Sequence, residues 1–169
     1  ILVEAFSSLK GDTGRSLAVY GPSDQVPEYM NELKALSRGI RNIEFSGTFP
    51  REELGLRLSE LDFLVIPSRW YENSPLVLLY SLAVKTPVIV TDVKGLSEFV
   101  TDDFNGYTFK KDSVDELRKV MQKIVDDPSS VARISENATY QKDVSDHADE
   151  VLKIYQSVLS RKYGSSGSR

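Results

Sequence analysis

The stretch SRWYENSPLVLLYSLAVKTPVIVTD, residues 68–92, decides the fold of this chain. It follows an apolar strand pattern that ends near Ser68, carries an acid at Glu72, and opens a helical pattern at Ser74 that leads into a second apolar strand. Ser74 is a favourable N-cap, and Pro75 suits the first helical position because no helical bond there needs its missing N–H. The stretch therefore predicts a strand, a helix and a second strand in parallel pairing.

Apolar runs of strand length recur along the chain, and turn residues bound each of them. They are β-branched or aromatic and nearly continuous, which is typical of strands covered on both faces. Helical patterns alternate with them, so we predict an α/β fold with a doubly wound, mostly parallel, Rossmann-like sheet and right-handed crossovers. The predicted strands are SLAVYG, NIEFSG, LDFLVIPS, TPVIVTD and NGYTF, and the predicted helices are VPEYMNELKALSRG, REELGLRLSE, PLVLLYSLAVK, GLSEFVTD and SVDELRKVMQKIVDD.

Length and pattern together predict a single domain over residues 1–163. The chain has 169 residues, 40% of them hydrophobic, which is enough for one substantial core. Residues 143–163 are helical by period with no strand after them, and this helix either packs back across the domain or covers a neighbouring one. The chain opens inside an amphipathic helix without an initiating methionine, so we expect an excised piece of a longer protein. Residues 164–169, GSSGSR, are expected to be a disordered or artificial tail.

Composition argues against several classes of function. The net charge of −4 comes from 21 basic and 25 acidic residues without a basic stripe, so nucleic-acid binding is not expected. With no cysteine and only His147, neither disulfides nor a cysteine metal site is expected, and His147 is interpreted as a solvated residue at a helix end. No apolar run approaches transmembrane length and no leader precedes the first segment, which favours a cytoplasmic, soluble domain.

Motifs narrow the choice further. The chain has neither a G-x-x-x-x-G-K-[ST] phosphate loop nor a G-x-G-x-x-G fingerprint, and Ser68 lacks the G-x-S-x-G context of a hydrolase nucleophile. Ligands of open α/β sheets bind beyond the carboxyl ends of the strands, which places the candidate loops at residues 21–24, 47–50, 68–74 and 92–95.

The third of these loops has the most informative chemistry. At the start of the predicted helix, the N–H groups of Leu76 and Val77 have no helical acceptor, and the positive end of the helix dipole favours an anion such as phosphate. Glu72 lies just upstream, where a carboxylate can accept hydrogen bonds from ligand hydroxyls. Phosphate and hydroxyls occur together in sugar nucleotides, so these residues predict a sugar-nucleotide site.

The order EAFSSLK, SLAVYG, NIEFSG, LDFLVIPSRWYENSPLVLLYSLAVKTPVIVTDVKGLSEFV and NGYTF resembles the C-terminal, nucleotide-binding half of GT-B glycosyltransferases of the retaining family 4 type. The resemblance covers residues 1–162 and is densest over residues 67–100. It implies a nucleoside diphosphate sugar bound in a cleft between two Rossmann-like domains, and transfer of a hexose, mannose among the candidates. It also implies that no metal or other cofactor is required.

The resemblance extends to partners outside the chain. A saccharide or lipid-linked acceptor would bind an N-terminal domain that the chain lacks, so the chain alone is expected not to turn over. The parent protein would be cytoplasmic, with peripheral association at the inner face of the membrane.

In the dense part of the resemblance, Glu72 matches the first acid of the family's E-x7-E motif, which faces the donor sugar, and is the expected catalytic residue. Ser74, Leu76 and Val77 match the backbone segment that meets the diphosphate and the ribose. Asn73, which lies between Glu72 and Ser74, is also an expected donor-binding residue.

Other donor-binding matches lie earlier in the chain. Thr48, Phe49 and Arg51 match the loop that lies near the nucleobase. Gly21 matches the glycine that ends a strand beside the cleft.

Two departures from the family pattern affect the expected activity. The chain begins after the point where the family carries an arginine and a lysine that neutralise the diphosphate. The second motif acid is replaced by Tyr80, which offers one oxygen where a carboxylate grips both ribose hydroxyls with two. Tyr80 stands four residues after Leu76 on the same helical face, where it would stack, donate one bond or fill the pocket. The alternatives are a transferase with weaker or altered donor binding, a degenerate non-catalytic module, and a transferase with an unusual donor.

Overall fold

The computed structural model describes residues 1–11, 14–22, 24–40, 42–73 and 75–163. Predictions that concern Ser74 or residues 164–169 lie outside the described residues. The chain divides into two compact units, Ile1–Thr139 and Tyr140–Arg169. The extent of the domain over residues 1–163 stays a prediction.

The first unit alternates strands and helices in the predicted order. All five predicted strands are present, somewhat shorter than their apolar runs. The strands are β1 (Leu17–Tyr20), β2 (Ile43–Gly47), β3 (Leu64–Ile66), β4 (Val88–Thr91) and β5 (Gly106–Phe109). The helices are α1 (Leu2–Ser7), α2 (Pro27–Leu36), α3 (Leu54–Ser59), α4 (Leu76–Ala83), α5 (Val114–Asp126) and α6 (Ser129–Asn137).

The prediction of a helix over GLSEFVTD is wrong, because only the single 3-10 turn Ser97–Phe99 forms there. Gly95 before it has a φ of +86°, and Val100 after it is extended, with φ −120° and ψ 129°. Both ends therefore leave helical geometry. No helix was predicted over α6, whose nine residues directly follow Pro128.

Every strand pair in the first unit is parallel, which confirms the α/β class. β1 pairs with β2, and β3, β4 and β5 form a second sheet with β4 in its centre. The strands therefore form two ladders, and β1 and β3 do not pair with each other. All four residues of β4 are buried, as expected for a central strand covered on both faces.

One hydrophobic core joins the two ladders. It gathers side chains from both sheets and from the helices at either end of this unit, which is the arrangement that buries a parallel sheet. Its buried members are Ala5, Phe6, Leu9, Leu17, Ile89, Tyr107, Phe109, Leu117, Met121 and Ile134.

Ser113 caps the N-terminus of α5. Its side chain accepts a hydrogen bond from the Glu116 N–H at 3.2 Å, which is the N-cap bond of an S-x-x-E sequence. The helix ends at Asp126, before Pro128, as the sequence indicates.

A polar cluster holds the turn that leads into β5. Asp103, at a φ of 61°, accepts hydrogen bonds from Lys123 Nζ at 2.6 Å and from the Tyr107 hydroxyl at 2.9 Å. Lys123 and Tyr107 hold the pKa of the Asp103 carboxyl below its usual value. Burial, with the bond to Asp103, raises the pKa of Tyr107 to about 12. These shifts follow from packing and ion pairing at a turn and indicate a structural role.

We expect Gly106→Ala to destabilise the first unit. A Cβ at Gly106 would lie 2.2 Å from the backbone oxygen of Val88, its partner in the β4–β5 ladder, so the strands would have to move apart. Overpacking of this kind costs about 1–3 kcal/mol in the free energy of unfolding, measured by urea denaturation.

Gly55→Ala is the matched control for this substitution. Gly55 lies within α3, where an added Cβ meets nothing within 4 Å, so this change should be neutral or stabilise by about 0.5–1 kcal/mol. Equal urea midpoints for the two variants would contradict the predicted clash.

The second unit contains the predicted C-terminal helix, α7 (Val144–Tyr163). Asp146 lies in its first turn and Arg161 and Lys162 in its last, which suits the helix dipole. Lys142 forms an ion pair with Glu150. Which surface α7 covers stays a prediction with the two alternatives given above.

Candidate functional site

The loop after β3 holds Glu72 by its side chain and by its backbone. The Ser68 hydroxyl donates to Glu72 Oε1 at 2.9 Å, and the Glu72 N–H donates to the Lys94 carbonyl at 3.2 Å. Glu72 is partly buried, and its second oxygen, Oε2, has no described hydrogen-bond or ion-pair partner among the residues the structure covers. The carboxylate is therefore held through Oε1, and among the described residues Oε2 has no partner.

Gly95, in the loop after β4, touches the backbone of Glu72. A Cβ on Gly95 would lie 1.7 Å from the Glu72 carbonyl oxygen, and the φ of +86° also favours glycine. The loops that follow two neighbouring strands are thus packed backbone to backbone. This contact requires a residue without a side chain.

The helix after Glu72 begins one residue later than predicted. Pro75 was expected at the first helical position, but its ψ of 80° lies outside the helical range, and α4 starts at Leu76. Pro75 is the N-cap residue and provides no side-chain cap bond. The expected capping by Ser74 lies outside the described residues.

The first turn of α4 has backbone amides without a partner in the helix. Leu78 and Leu79 donate their N–H groups to the Pro75 carbonyl at 2.9 and 3.2 Å, and these are the first bonds of the helix. The N–H groups of Leu76 and Val77 precede them and have no acceptor within the helix. Leu76 is 56% exposed and Val77 is 39% exposed. Solvent therefore reaches this end of the helix.

Tyr80 lies one turn further along α4 and is partly exposed. The opposite side of the helix packs into the protein through Leu78, Ser81 and Leu82, all buried. Tyr80 is therefore not needed to fill the core. Asn73, in the loop before the helix, is exposed.

A second group of predicted residues surrounds the carboxyl ends of β1 and β2. Gly21 donates its N–H to the Gly47 carbonyl at 2.8 Å, and both glycines line a cleft of about 210 Å³ between α2 and the two strands. The Phe49 ring packs edge-on against Tyr20, which also lines the cleft, with ring centroids 5.1 Å apart. The cleft is therefore largely apolar and aromatic.

The remaining predicted residues of this group are more exposed. Thr48 is exposed in the loop after β2, and Arg51 is exposed in the 3-10 turn Arg51–Glu53 that precedes α3. Both lie within three residues of Phe49. The structure thus places the predicted residues in two groups, one after β1 and β2 and one after β3 and β4.

Two contacts of Glu72, with Ser68 and with the loop of residues 92–95, were not predicted from the sequence. Ser68 was considered only as a nucleophile, and the loop of residues 92–95 was a candidate for ligand contact without a link to Glu72. The four-residue spacing between Ser68 and Glu72 was the sequence signal that could have indicated the Ser68 contact. The contact with the loop of residues 92–95 can be predicted only once it is known that β3 and β4 are neighbours in the sheet.

Searches for a metal centre and for a membrane span find neither within the described parts of the chain. Among the described residues, no three His, Cys, Asp or Glu side chains come together in a way that would hold a metal ion. None of the helices in the described ranges is both long and apolar enough to cross a bilayer. The independence of the site from metal stays a prediction.

The chain is similar in sequence to known glycosyltransferases. The family model described as "Glycosyl transferases group 1" matches residues 1–141. The alpha-D-kanosaminyltransferase of Streptomyces kanamyceticus is 25% identical over 127 residues, covering 72% of this chain and 33% of that protein. The glycogen synthase of Mycobacterium tuberculosis is 29% identical over 120 residues, covering 71% and 28%.

Solved structures share the fold. Anabaena Alr3699/HepE in complex with UDP and glucose superposes with a TM-score of 0.78 at 16% identity, over 92% of this chain and 44% of that chain. Sucrose-phosphate synthase from Thermosynechococcus elongatus gives 0.75 at 21% identity, over 95% and 42%. The chain thus spans less than half the length of each of these proteins.

Proposed function

Because the chain belongs to the glycosyl transferases group 1 family, we propose that it is the donor-binding domain of an enzyme that transfers a hexose from a nucleoside diphosphate sugar to a saccharide or lipid acceptor. The observation that carries this proposal is the hydrogen-bonded carboxylate of Glu72, four residues before a helix start at which Leu76 and Val77 are exposed residues whose amides have no acceptor within the helix. One short segment thus offers an acceptor for sugar hydroxyls and donors for phosphate.

In this proposal, the diphosphate lies against the first turn of α4. When the bond to the sugar breaks, negative charge grows on the leaving diphosphate, and N–H groups already aimed at it stabilise that charge without reorganising. The Leu76 and Val77 amides and the helix dipole take this role, and no metal is required. Glu72 Oε2 accepts hydrogen bonds from the sugar.

The nucleobase occupies the apolar cleft beside Gly21 and Gly47. Planar aromatic bases suit a pocket lined by Tyr20 and Tyr29, because ring stacking and edge contacts add to the burial of apolar area. Thr48, Phe49 and Arg51 border this pocket in the proposal, and Asn73 and Tyr80 lie along the path from diphosphate to ribose. The donor-binding role of Ser74 is proposed from the sequence alone.

We further propose a retaining mechanism of the family 4 type, with mannose among the candidate hexoses. The acceptor binds a part of the protein outside this chain, so the chain alone does not turn over. The whole protein acts in the cytoplasm, where a lipid acceptor would bring it to the inner face of the membrane. A non-catalytic module is not favoured, because the matched relatives carry transferase and synthase names.

The test is titration of the chain with UDP, GDP and ADP and with UDP-glucose, GDP-mannose and ADP-glucose, by calorimetry and by NMR of backbone amides. We expect one nucleotide to bind and to shift the amide signals of Leu76, Val77 and Phe49. No binding of any of these nucleotides would contradict the proposal. Binding that leaves the Leu76 and Val77 signals unchanged would contradict the assigned site.

Tyr80→Glu is expected to increase nucleotide affinity. It restores two acceptor oxygens at the proposed ribose position, and hydrogen bonds to a charged group contribute about 1.5–3 kcal/mol each, which is tenfold or more in affinity. Tyr80→Gln, which has similar length and no charge, is the control and should give a smaller gain. An unchanged dissociation constant for Tyr80→Glu would show that residue 80 does not meet the ribose.

A further inference from the structure

The Ser68 hydroxyl lies at the centre of the loop that carries Glu72. Its oxygen is 2.9 Å from Glu72 Oε1, 3.3 Å from the Trp70 carbonyl oxygen and 3.3 Å from the Trp70 nitrogen. The backbone N–H of Trp70 can only donate, so the hydroxyl accepts there. The other two neighbours are acceptors that compete for a single hydroxyl proton.

That competition favours the carboxylate. A hydrogen bond to an ionised acceptor is shorter and stronger than one to a neutral carbonyl, and the Glu72 contact is the shorter of the two. The Ser68 hydroxyl therefore accepts a hydrogen bond from the Trp70 N–H and donates one to Glu72 Oε1. The hydroxyl links the loop backbone to the carboxylate.

We propose that Ser68 is a positioning residue for Glu72, holding Oε1 so that Oε2 is directed to the hydroxyls of the donor sugar. The proposal deepens the donor-binding function and rests on it. A glutamate side chain loses substantial rotamer freedom when it is ordered. Because Ser68 orders the Glu72 side chain before the sugar binds, the binding free energy of the sugar is not reduced by the loss of that rotamer freedom.

The backbone of the loop is held by other contacts. Glu72 N–H donates to Lys94 O at 3.2 Å, Gly95 packs against the Glu72 backbone, and Arg69 Nε donates to Asp112 Oδ1 at 2.6 Å. Loss of the Ser68 hydroxyl removes its bond from the Trp70 N–H as well as its bond to Glu72 Oε1. The three contacts above should nevertheless keep the loop in place, so the larger effect falls on the carboxylate. This separates positioning from folding.

The test measures the sugar increment, which is the ratio between the affinity for a sugar nucleotide and the affinity for its nucleoside diphosphate. The pairs are UDP-glucose with UDP, GDP-mannose with GDP, and ADP-glucose with ADP. For the pair with the largest increment, Ser68→Ala should reduce the increment about tenfold, the equivalent of one hydrogen bond to a charged group, with little change for the diphosphate alone.

Three further variants complete the design. Ser68→Thr keeps the hydroxyl, so its sugar increment should equal that of the native chain. Ser59→Ala removes an exposed hydroxyl that donates to Leu56 O within α3, and should change nothing. In a Glu72→Ala background, Ser68→Ala should have no additional effect, because Ser68 acts through Glu72. An additive loss in the double variant, or no rescue by threonine, would overturn the proposal.

A second readout needs no ligand. NMR couplings of the Glu72 side chain should show one rotamer in the native chain and averaged rotamers in Ser68→Ala. Averaging already in the native chain, or a single rotamer in the variant, would overturn the role of Ser68 whether or not nucleotides bind. If no sugar nucleotide binds but the rotamer change is seen, Ser68 positions Glu72 and the donor-binding function is what fails.

Discussion

Gly95→Ala is expected to weaken nucleotide-sugar binding severely and to destabilise the first unit. The added Cβ would lie 1.7 Å from the carbonyl oxygen and 2.6 Å from the carbonyl carbon of Glu72, so one of the two loops must move. Movement would break the bond from Glu72 N–H to Lys94 O and displace the carboxylate. Backbone atoms cannot rotate away as a flexible side chain can, so the clash can be relieved only by displacing the backbone of one loop.

The expected size follows from the separate effects. A left-handed φ costs a residue with a Cβ about 1–2 kcal/mol, overpacking adds about 1–3 kcal/mol, and both lower the free energy of unfolding in urea. Displacement of Glu72 removes hydrogen bonds to the sugar and should lower the affinity for the bound sugar nucleotide about tenfold to a hundredfold.

Gly39→Ala is a closely matched control. Gly39 has the same φ of +86°, in the turn after α2, but a Cβ there meets nothing within 4 Å. It should show the cost of the left-handed backbone without the clash and without a change in ligand affinity. If Gly39→Ala and Gly95→Ala lose equal stability and bind nucleotide equally, then contact between the loops does not hold Glu72.

The order of the strands and of most helices could be predicted from the sequence, because each strand has a nearly continuous apolar run and most helices have a clear period. The helix α6 was not predicted. β4 shows this best, since VIVT reads as a strand buried on both faces and is buried throughout. The prediction of a helix failed where the backbone conformation of individual residues is incompatible with a helix, although the apolar residues recur at helical spacing. Residues 95–102 carry a helical pattern, yet the φ of Gly95 and the extended Val100 allow only one turn.

The candidate site was predictable in part for the same reason. Glu72 and the amides of Leu76 and Val77 lie in a continuous stretch, where a helix start and an upstream acid can be recognised locally. The contact between Gly95 and Glu72 joins loops 23 positions apart, and no local pattern encodes such a contact. Ser68 was visible at short range, but its role depends on the 2.9 Å distance that only the folded loop defines.

Leu76→Pro is expected to reduce affinity for nucleoside diphosphates while leaving the fold intact. Proline removes the N–H of residue 76, one of the two amides proposed to hold the diphosphate. It suits the first helical position, where no intrahelical bond is lost, and the ψ of 80° at Pro75 already avoids the helical region that a following proline disfavours. Leu76 is also 56% exposed, so little packing is lost.

One hydrogen bond to a charged phosphate contributes about 1.5–3 kcal/mol, so the dissociation constant measured by calorimetry should rise about tenfold to a hundredfold. Leu76→Ala removes the same side chain and keeps the N–H, and should bind as the native chain does. Urea midpoints close to that of the native chain would show that both variants fold. If Leu76→Pro folds and binds with native affinity, or if Leu76→Ala loses as much, the anion is not held by this amide, and the placement of the diphosphate on the first turn of α4 is wrong.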